Sequence, residues 1–497
     1  MNKRLEEIFE EKQIFYKGND KPFLSLENNS RNVKEGSVFF AIKGTTADGH
    51  RFIPDAIKKG ATTVVVQDKG IAQSLKNEYP QINIILVENT RIAQAEAARK
   101  FYNYPDKKLK IIGITGTNGK TTTSHVIAQF LEAYGKKTGI IGTTGYKIGN
   151  KIISEGRTTP DAIQWFGLLD KFRKEGAEFV VAEVSSHALD QYRVYGTEFD
   201  AAVFTNLSHD HLDYHKTLEE YFLAKKRLFE QLSIEKPAVI NADDKYGKRL
   251  IKEFKNAVSY GKVTQANLRI ISYKPCDSQT CIYFEYKGKR FGIKTSLLGD
   301  FNVYNMAAAL LTLIKIGVPL EFLIEKAPII KPVRGRFEVI EKDGIKVIID
   351  YAHTPDALEN VLKSINKIKE KRIITVFGAG GDRDREKRPL MGQVAQKLSD
   401  IVIITSDNPR SEDPMDIIKD IRSGLISEKD VFVEINRERA IKKAINMAEK
   451  GDIILIAGKG HETYQIIGDK VLHFDDKEVA EKYLKKAAAQ AAAQEKC

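Results

Sequence analysis

The sequence predicts an α/β fold in three domains. A small α/β domain spans residues 1–90, a central P-loop domain with a parallel sheet and an antiparallel edge spans 91–333, and a Rossmann-like domain spans 334–486, followed by a low-complexity tail, 487–497. Three observations carry this reading. At 497 residues the chain is too long for one ordinary core. Short apolar runs alternate with helix-length segments, as in parallel sheets buried on both faces. Around "CIYFEYKGKRFGIKTSLLG" the pattern changes to strict alternation about a "KGK" turn, which reads as an antiparallel hairpin at a sheet edge.

In chain order, "SVFFAI" and "ATTVVVQD" read as strands beside one helix-like stretch, "RFIPDAIKKG". A helical segment from Arg91 to Tyr104 leads through Pro105 into "IIGITGTNGKTTTSHVIAQF", an apolar strand, a glycine-containing turn and a helix. The strands "FVVAEVSS" and "AAVFTNLS" follow, with helices between them. After "PVRGRFEV" come "KVIIDYA", "RIITVFGAGG", "DIVIITSDNP", "DVFVEI" and "DIILIAGKGHE", each separated by a helix-length segment, which predicts a second doubly wound unit. "GAGGDR" lacks the third glycine of a dinucleotide fingerprint, where Arg383 stands, so NAD is rejected. The tail "KKAAAQAAAQEKC" reads as an appended helix without function.

Composition excludes several classes. With 42% hydrophobic and 29% charged residues the chain reads as globular, and no apolar run approaches the about 18 residues that span a bilayer. The charged opening "MNKRLEEIFEEK" lacks a signal-peptide core, so a cytoplasmic location is expected. The net charge of +12 comes from lysines spread along the chain, without a nucleic-acid-binding pattern; the expected partners are small molecules, not nucleic acid or membrane, and a monomer is expected. Cys276, Cys281 and Cys497 make neither a disulfide framework nor a zinc pattern and are read as reduced and incidental.

The glycine turn carries the chemistry. Gly116, Thr117, Asn118 and Gly119 supply backbone N–H groups for a phosphate, Lys120 a countercharge, and Thr121 and Thr122 hydroxyls suited to Mg²⁺. That points to an ATP-binding central domain, although the strict P-loop pattern asks for glycine where Ile114 stands. Glu183 ends a predicted strand at the carboxyl edge of the sheet, where a carboxylate reaches Mg²⁺. "NLSHDHLDYH" packs His209, Asp210, His211, Asp213 and His215 into one loop; zinc is discounted because no thiol joins it and an ATP site calls for oxygen-bound Mg²⁺.

"TGTNGKTTT", "EVSSH", "FTNLSHDHLDYH", "NADD", "DYAHTPDAL", "FGAGGDRDREKRPLMG", "DNPRSEDP" and "AGKGHE", in this order, resemble the Mur ligases of peptidoglycan synthesis. The resemblance covers nearly the whole chain except the tail. It implies a UDP-substrate-binding first domain, a central ATPase and a third domain that brings an amino acid. It also implies an ATP-dependent amide ligase that turns a substrate carboxylate into an acyl phosphate, which an amine then attacks.

By that resemblance, Gly116 to Thr122 cradle the ATP phosphates, and Lys120, Lys225, Glu183 and His211 form the catalytic group. Thr121, Glu183, His211 and Lys225, the last as a carbamate, hold Mg²⁺. Asn305, Arg336 and Asp350 hold the rest of the nucleotide. Asn28, Ser30, Thr45, Thr46 and Ala47 face the uridine nucleotide, while Thr158, Thr159, Ser185, Gln191 and Arg193 bind the muramoyl dipeptide.

Arg383, Asp407, Asn408, Pro409, Arg410, Gly458 and Glu462 resemble the amino-acid site of the diaminopimelate-adding type. Arginine offers a planar fork to a carboxylate and Glu462 meets an ammonium, so the acceptor carries both charges at its distal end. The resemblance therefore implies addition of meso-diaminopimelate to a UDP-N-acetylmuramoyl dipeptide. L-Lysine, lanthionine, a folate-extending ligase and a P-loop NTPase or regulator that senses an amino acid are the alternatives.

Overall fold

The computed structural model describes residues 2–44, 47–149, 151–154, 156–276 and 279–494. They build three sheets in succession, with a two-stranded hairpin near the end. The first sheet has five strands in the order Ile14–Tyr16, Asn83–Leu86, Ala61–Val66, Ser37–Phe40 and Ser25–Glu27, and only the first pair runs antiparallel. Where the sequence suggested one helix here, the structure has α-helices at Leu5–Ile8, Ile53–Lys58 and Lys69–Glu78. The third was missed because it starts inside a turn-like "DKG", where the Asp68 side chain caps it by accepting from Ile71 N–H.

The central sheet has eleven strands. Its parallel middle contains Lys110–Thr115 between Phe179–Glu183 and Ala201–Phe204. These runs are almost wholly buried because apolar residues cover both faces of the sheet, which explains their unbroken hydrophobic character. Antiparallel strands close both edges: Gln279–Tyr286 and Lys289–Thr295 on one side, Gly145–Ile148 and Lys151–Ser154 on the other. The first pair was expected from its alternation; the second was not.

The expectation for the cysteines is overturned. Cys276 and Cys281 form a disulfide, with their Cα atoms 5.8 Å apart, because they lie on neighbouring antiparallel strands. A lone pair five residues apart carries no framework signal in sequence.

The third sheet runs Glu338–Lys342, Ile345–Asp350, Ile453–Ala457, Ile373–Phe377, Ile401–Ile404 and Val431–Val433, parallel except for the first pair. The hairpin Tyr464–Ile467 and Lys470–His473 precedes a terminal helix, Asp476–Gln494. The Asp476 carboxylate at its start accepts two hydrogen bonds from buried Arg437, which fastens the start of the helix to the sheet. Among the described residues no helix is long and apolar enough to cross a membrane.

Candidate active site

The phosphate loop lies between strand Lys110–Thr115 and helix Lys120–Ala133. Gly116 has φ +150°, and a methyl group there would run into Thr205 Oγ1. Gly119 has φ +86° and faces Asn305 Oδ1. Thr205 Oγ1 and Asn206 Nδ2 both donate to Asn118 C=O, and Asn118 N–H donates to Asn206 Oδ1, so residues 205–206 mould the turn. Lys120 Nζ donates to the carbonyls of Gly116 and Thr117, both at 2.8 Å. Burial lowers the Lys120 pKa, against the pull of Glu183 and Asp210, so an anion at the loop would favour its charged form.

Glu183 stands at the end of its strand because the parallel register pairs it with Ile114, one residue short of Thr115. It is fully buried, and its carboxylate accepts from Thr121 Oγ1 (3.0 Å), Thr143 N–H (3.0 Å) and Thr143 Oγ1 (3.1 Å). Lys225 is 1% exposed, donates to Gly116 C=O at 2.8 Å and lies 4.3 Å from the Tyr221 ring centroid. Burial, reinforced by the Lys120 charge, drives its pKa well below the ordinary lysine value. His211 adopts φ +55°, and burial pushes it down to about 3 although Asp210 pulls the other way. His209, two residues earlier, instead faces Asp384 of the third domain, Nε2 to Oδ2 3.4 Å.

Lys120, Thr121, Glu183 and His211 line a cleft of about 590 Å³ that also takes in Asn305, Arg336 and Asp350. Arg336 crosses from the third domain to donate to Thr121 Oγ1 at 3.1 Å and lies 4.4 Å from the Tyr351 ring centroid. The Asp350 carboxylate accepts from Phe337 N–H and Ala352 N–H, which fixes the turn carrying Arg336. Asn305 Nδ2 donates to Asn302 within the same helix. The far wall was missed by sequence reasoning: Tyr260, Tyr273, Phe301 and Tyr304 line it, and Tyr304 Oη donates to Asp243 at 2.8 Å. "NADD", which contains Asp243, was the available signal.

Thr158, Thr159, Ser185, Gln191 and Arg193 gather beside Glu183. Thr158 Oγ1 is 3.2 Å from Thr143 Oγ1, and Thr159 Oγ1 donates to Glu183 C=O at 2.8 Å. Arg193 donates to Thr159 C=O and to Gln191 Oε1, and burial lowers it to about 10. Asn28 and Ser30 follow strand Ser25–Glu27; Ser30 C=O accepts from Lys59, and Ala47 C=O accepts from Gly44 N–H. Thr45 and Thr46 lie outside the described residues.

Asp407, Asn408 and Pro409 follow strand Ile401–Ile404, and Arg410, at φ +53°, turns back to donate to Gly381 C=O at 2.6 Å. Arg383 and Arg410 flank Gly380, where a methyl group would lie close to both side chains. Gly458 has φ +115°, and a side chain there would meet Asp407. Sequence reasoning missed Lys459. Its buried ammonium donates to Asn408 Oδ1 and Glu462 Oε2, both at 3.1 Å, so Glu462 already holds one cation.

Comparison with known proteins covers all three sheets. The Mur ligase middle domain matches residues 114–313, the "Mur ligase, glutamate ligase domain" matches 335–460 and the "Mur ligase family, catalytic domain" matches 25–102. The UDP-N-acetylmuramoyl-L-alanyl-D-glutamate--2,6-diaminopimelate ligase of Aquifex aeolicus is 50% identical over 458 residues, 92% of either chain. Its namesake in Fusobacterium nucleatum is 46% identical over 467 residues, 93% of this chain and 94% of the other. A solved structure with the same ligase title is 34% identical with a TM-score of 0.70, covering 98% of this chain and 100% of that one. With family matches on each of the three large sheets and half of the 458 aligned residues shared with a relative covering 92% of either chain, this chain belongs to the Mur ligase family.

Proposed function

We propose that this chain is an ATP-dependent amide ligase of peptidoglycan precursor synthesis, joining meso-diaminopimelate to UDP-N-acetylmuramoyl-L-alanyl-D-glutamate, and that it works as a cytoplasmic monomer. The name shared by its relatives supports the substrates. The observation that carries the chemistry is the buried Lys225 beside Gly116 of the phosphate loop, at 2.8 Å.

A carboxylate does not condense with an amine directly, because hydroxide is a poor leaving group. Transfer of the ATP γ-phosphoryl to the D-glutamyl carboxylate makes an acyl phosphate and ADP. The neutral amine of diaminopimelate then attacks the acyl carbon, phosphate leaves, and the amine gives up its proton. The loop N–H groups and Lys120 hold the charge that builds on the moving phosphoryl group. Arg336, reaching Thr121 from the third domain, adds a second cation when the domains are together.

The donor set fits Mg²⁺: the Thr121 hydroxyl and Glu183 carboxylate converge at 3.0 Å, and the neutral His211 offers a ring nitrogen. Bound there, Mg²⁺ would neutralise phosphate oxygens and lower the cost of charge transfer. Lys225 fits the anionic partner such an ion needs. Its burial favours the free amine, which can attack CO₂ and lose a proton to become a carbamate.

Arg383 and Arg410 beside Gly380 support an acceptor with a distal carboxylate, which L-lysine lacks. The test is a mass-spectrometric product assay offering diaminopimelate, L-lysine, lanthionine and glutamate in competition, with ATP and the UDP-muramoyl dipeptide. Diaminopimelate should appear in the product with one ADP and one phosphate per amide. ATP hydrolysis without any joined product would overturn the ligase reading, and preferential use of lysine or lanthionine would overturn the acceptor.

A further inference from the structure

Asp356 belongs to the third domain but touches the machinery of the central one. It occupies the first turn of helix Pro355–Asn366, whose start is fixed by Pro355 and by the Thr354 hydroxyl accepting from Ala357 N–H. A carboxylate is favoured in that turn by the helix dipole, and the capped helix start holds Asp356 in place from its own side. Its Oδ2 accepts from Asn118 Nδ2 at 2.8 Å and from Ser208 Oγ at 3.0 Å. Asn118 is in the phosphate loop; Ser208 lies three residues before His211, in the loop that brings that histidine to the cleft.

The two loops are already knitted together within the central domain. Ser208 N–H donates to Thr117 Oγ1 at 3.0 Å, and Thr117 N–H donates to Asn206 C=O at 2.9 Å. Asp356 adds an acceptor at the junction that is present only when the third domain is docked. Arg336 makes a separate contact, donating to Thr121 in the first turn of the helix that follows the loop. Docking therefore holds the loop at Asn118 and the helix that follows it at Thr121.

We propose that Asp356 is a positioning residue for phosphoryl transfer: by accepting from Asn118 and Ser208 together, it sets the phosphate loop and the His211 loop in mutual register when the third domain docks. The inference rests on the ligase reading above. Asp356 also lines the nucleotide cleft, but its two side-chain hydrogen bonds go to Asn118 and Ser208, so its loss should slow the transfer more than it weakens ATP binding.

Asp356→Ala should lower kcat by about 10- to 100-fold while the KM for ATP stays within about threefold, since small misplacements of reacting groups cost rates of that order. Asp356→Asn keeps a carbonyl oxygen able to accept both bonds and should retain most of the activity. Ser208→Ala should cost less than Asp356→Ala, and the double variant should be no slower than Asp356→Ala alone. Thermal melting of each variant checks folding, and the Asn and Ser208 variants keep the test open if the Ala variant fails to fold. An unchanged kcat in Asp356→Ala, a raised KM for ATP at unchanged kcat, or additive losses in the double variant would overturn the proposal. Wild-type amide formation in the same assay reports on the ligase reading itself, so a loss confined to the variants reports on Asp356.

Discussion

Lys225 shows how far a residue's neighbours alter its chemistry. In the sequence it is one lysine in "FLAKKRLF" on an amphipathic helix, where a solvated ammonium is the ordinary outcome. In the fold it is buried against Tyr221 and Gly116, with Lys120 close enough to disfavour a second positive charge. If the amine carries CO₂, stripping dissolved CO₂ and bicarbonate from the buffers should lower wild-type kcat, and adding bicarbonate should restore it. A rate indifferent to bicarbonate would count against the carbamate. Arg410 permits a sharper test, because its strained backbone and its hold on Gly381 aim one guanidinium past Gly380. Losing the partner of a desolvated acceptor carboxylate costs about 3 to 5 kcal/mol, or roughly 10²- to 4 × 10³-fold in affinity. Arg410→Ala should raise the KM for diaminopimelate by about that factor and leave the KM for ATP unchanged; an unchanged acceptor KM would remove Arg410 from the acceptor site.

At the scale of elements, the third domain is pinned by ion pairs that make its stability depend on pH. Arg388, fully buried at the side chain, grips both oxygens of Glu412 at 2.8 and 3.0 Å, and Arg385 adds a third bond at 2.8 Å. The Arg388 hydrogen bonds hold Glu412 down at about 2, below the usual glutamate range. A depressed carboxylate stabilises the fold fully above its unfolded pKa and loses that contribution as pH falls through the folded one. The melting temperature should therefore drop between about pH 4.5 and pH 2, and Glu412→Gln should start lower and show a flatter acid limb. An identical acid limb in the variant would show that the pair does not govern it. Elements of this kind were legible unevenly. Parallel strands such as "FVVAEVSS" announce themselves because both faces are buried, and glycine turns because only certain residues tolerate their backbone. The hairpin at Tyr464–His473 and the edge strand Lys151–Ser154 expose much of their surface and carry no comparable apolar run. The aromatic wall was hidden for another reason: Tyr260, Tyr273 and Tyr304 come from separate elements that only the sheet order and one helix bring together.

For the molecule as a whole, the decisive fact is that the cleft is shared. Thr121, Glu183 and Lys120 come from the central domain, whereas Arg336, Asp350 and His353 come from the third. The polar contacts across the seam between them include Arg336 to Thr121, Asp356 to Asn118 and Ser208, and His209 facing Asp384. Polar contacts of this sort are exchanged for water at little net cost, so they guide docking more than they enforce it. Apolar packing across the seam includes Leu298 and Phe301 against the third domain's core, with Phe301 and Phe337 ring centroids 5.7 Å apart. That combination suits a domain which opens to admit substrates and closes to keep water from an acyl phosphate. X-ray scattering should then show a larger radius of gyration for the free protein than for the protein with a non-hydrolysable ATP analogue and the UDP-muramoyl dipeptide. The change should be largest with both ligands, because the nucleotide would join the phosphate loop to Arg336 of the third domain while the dipeptide would fill the groups beside Glu183. Superimposable scattering curves with and without the pair would mean that the docked arrangement is permanent, and substrate entry would have to be explained by loops alone.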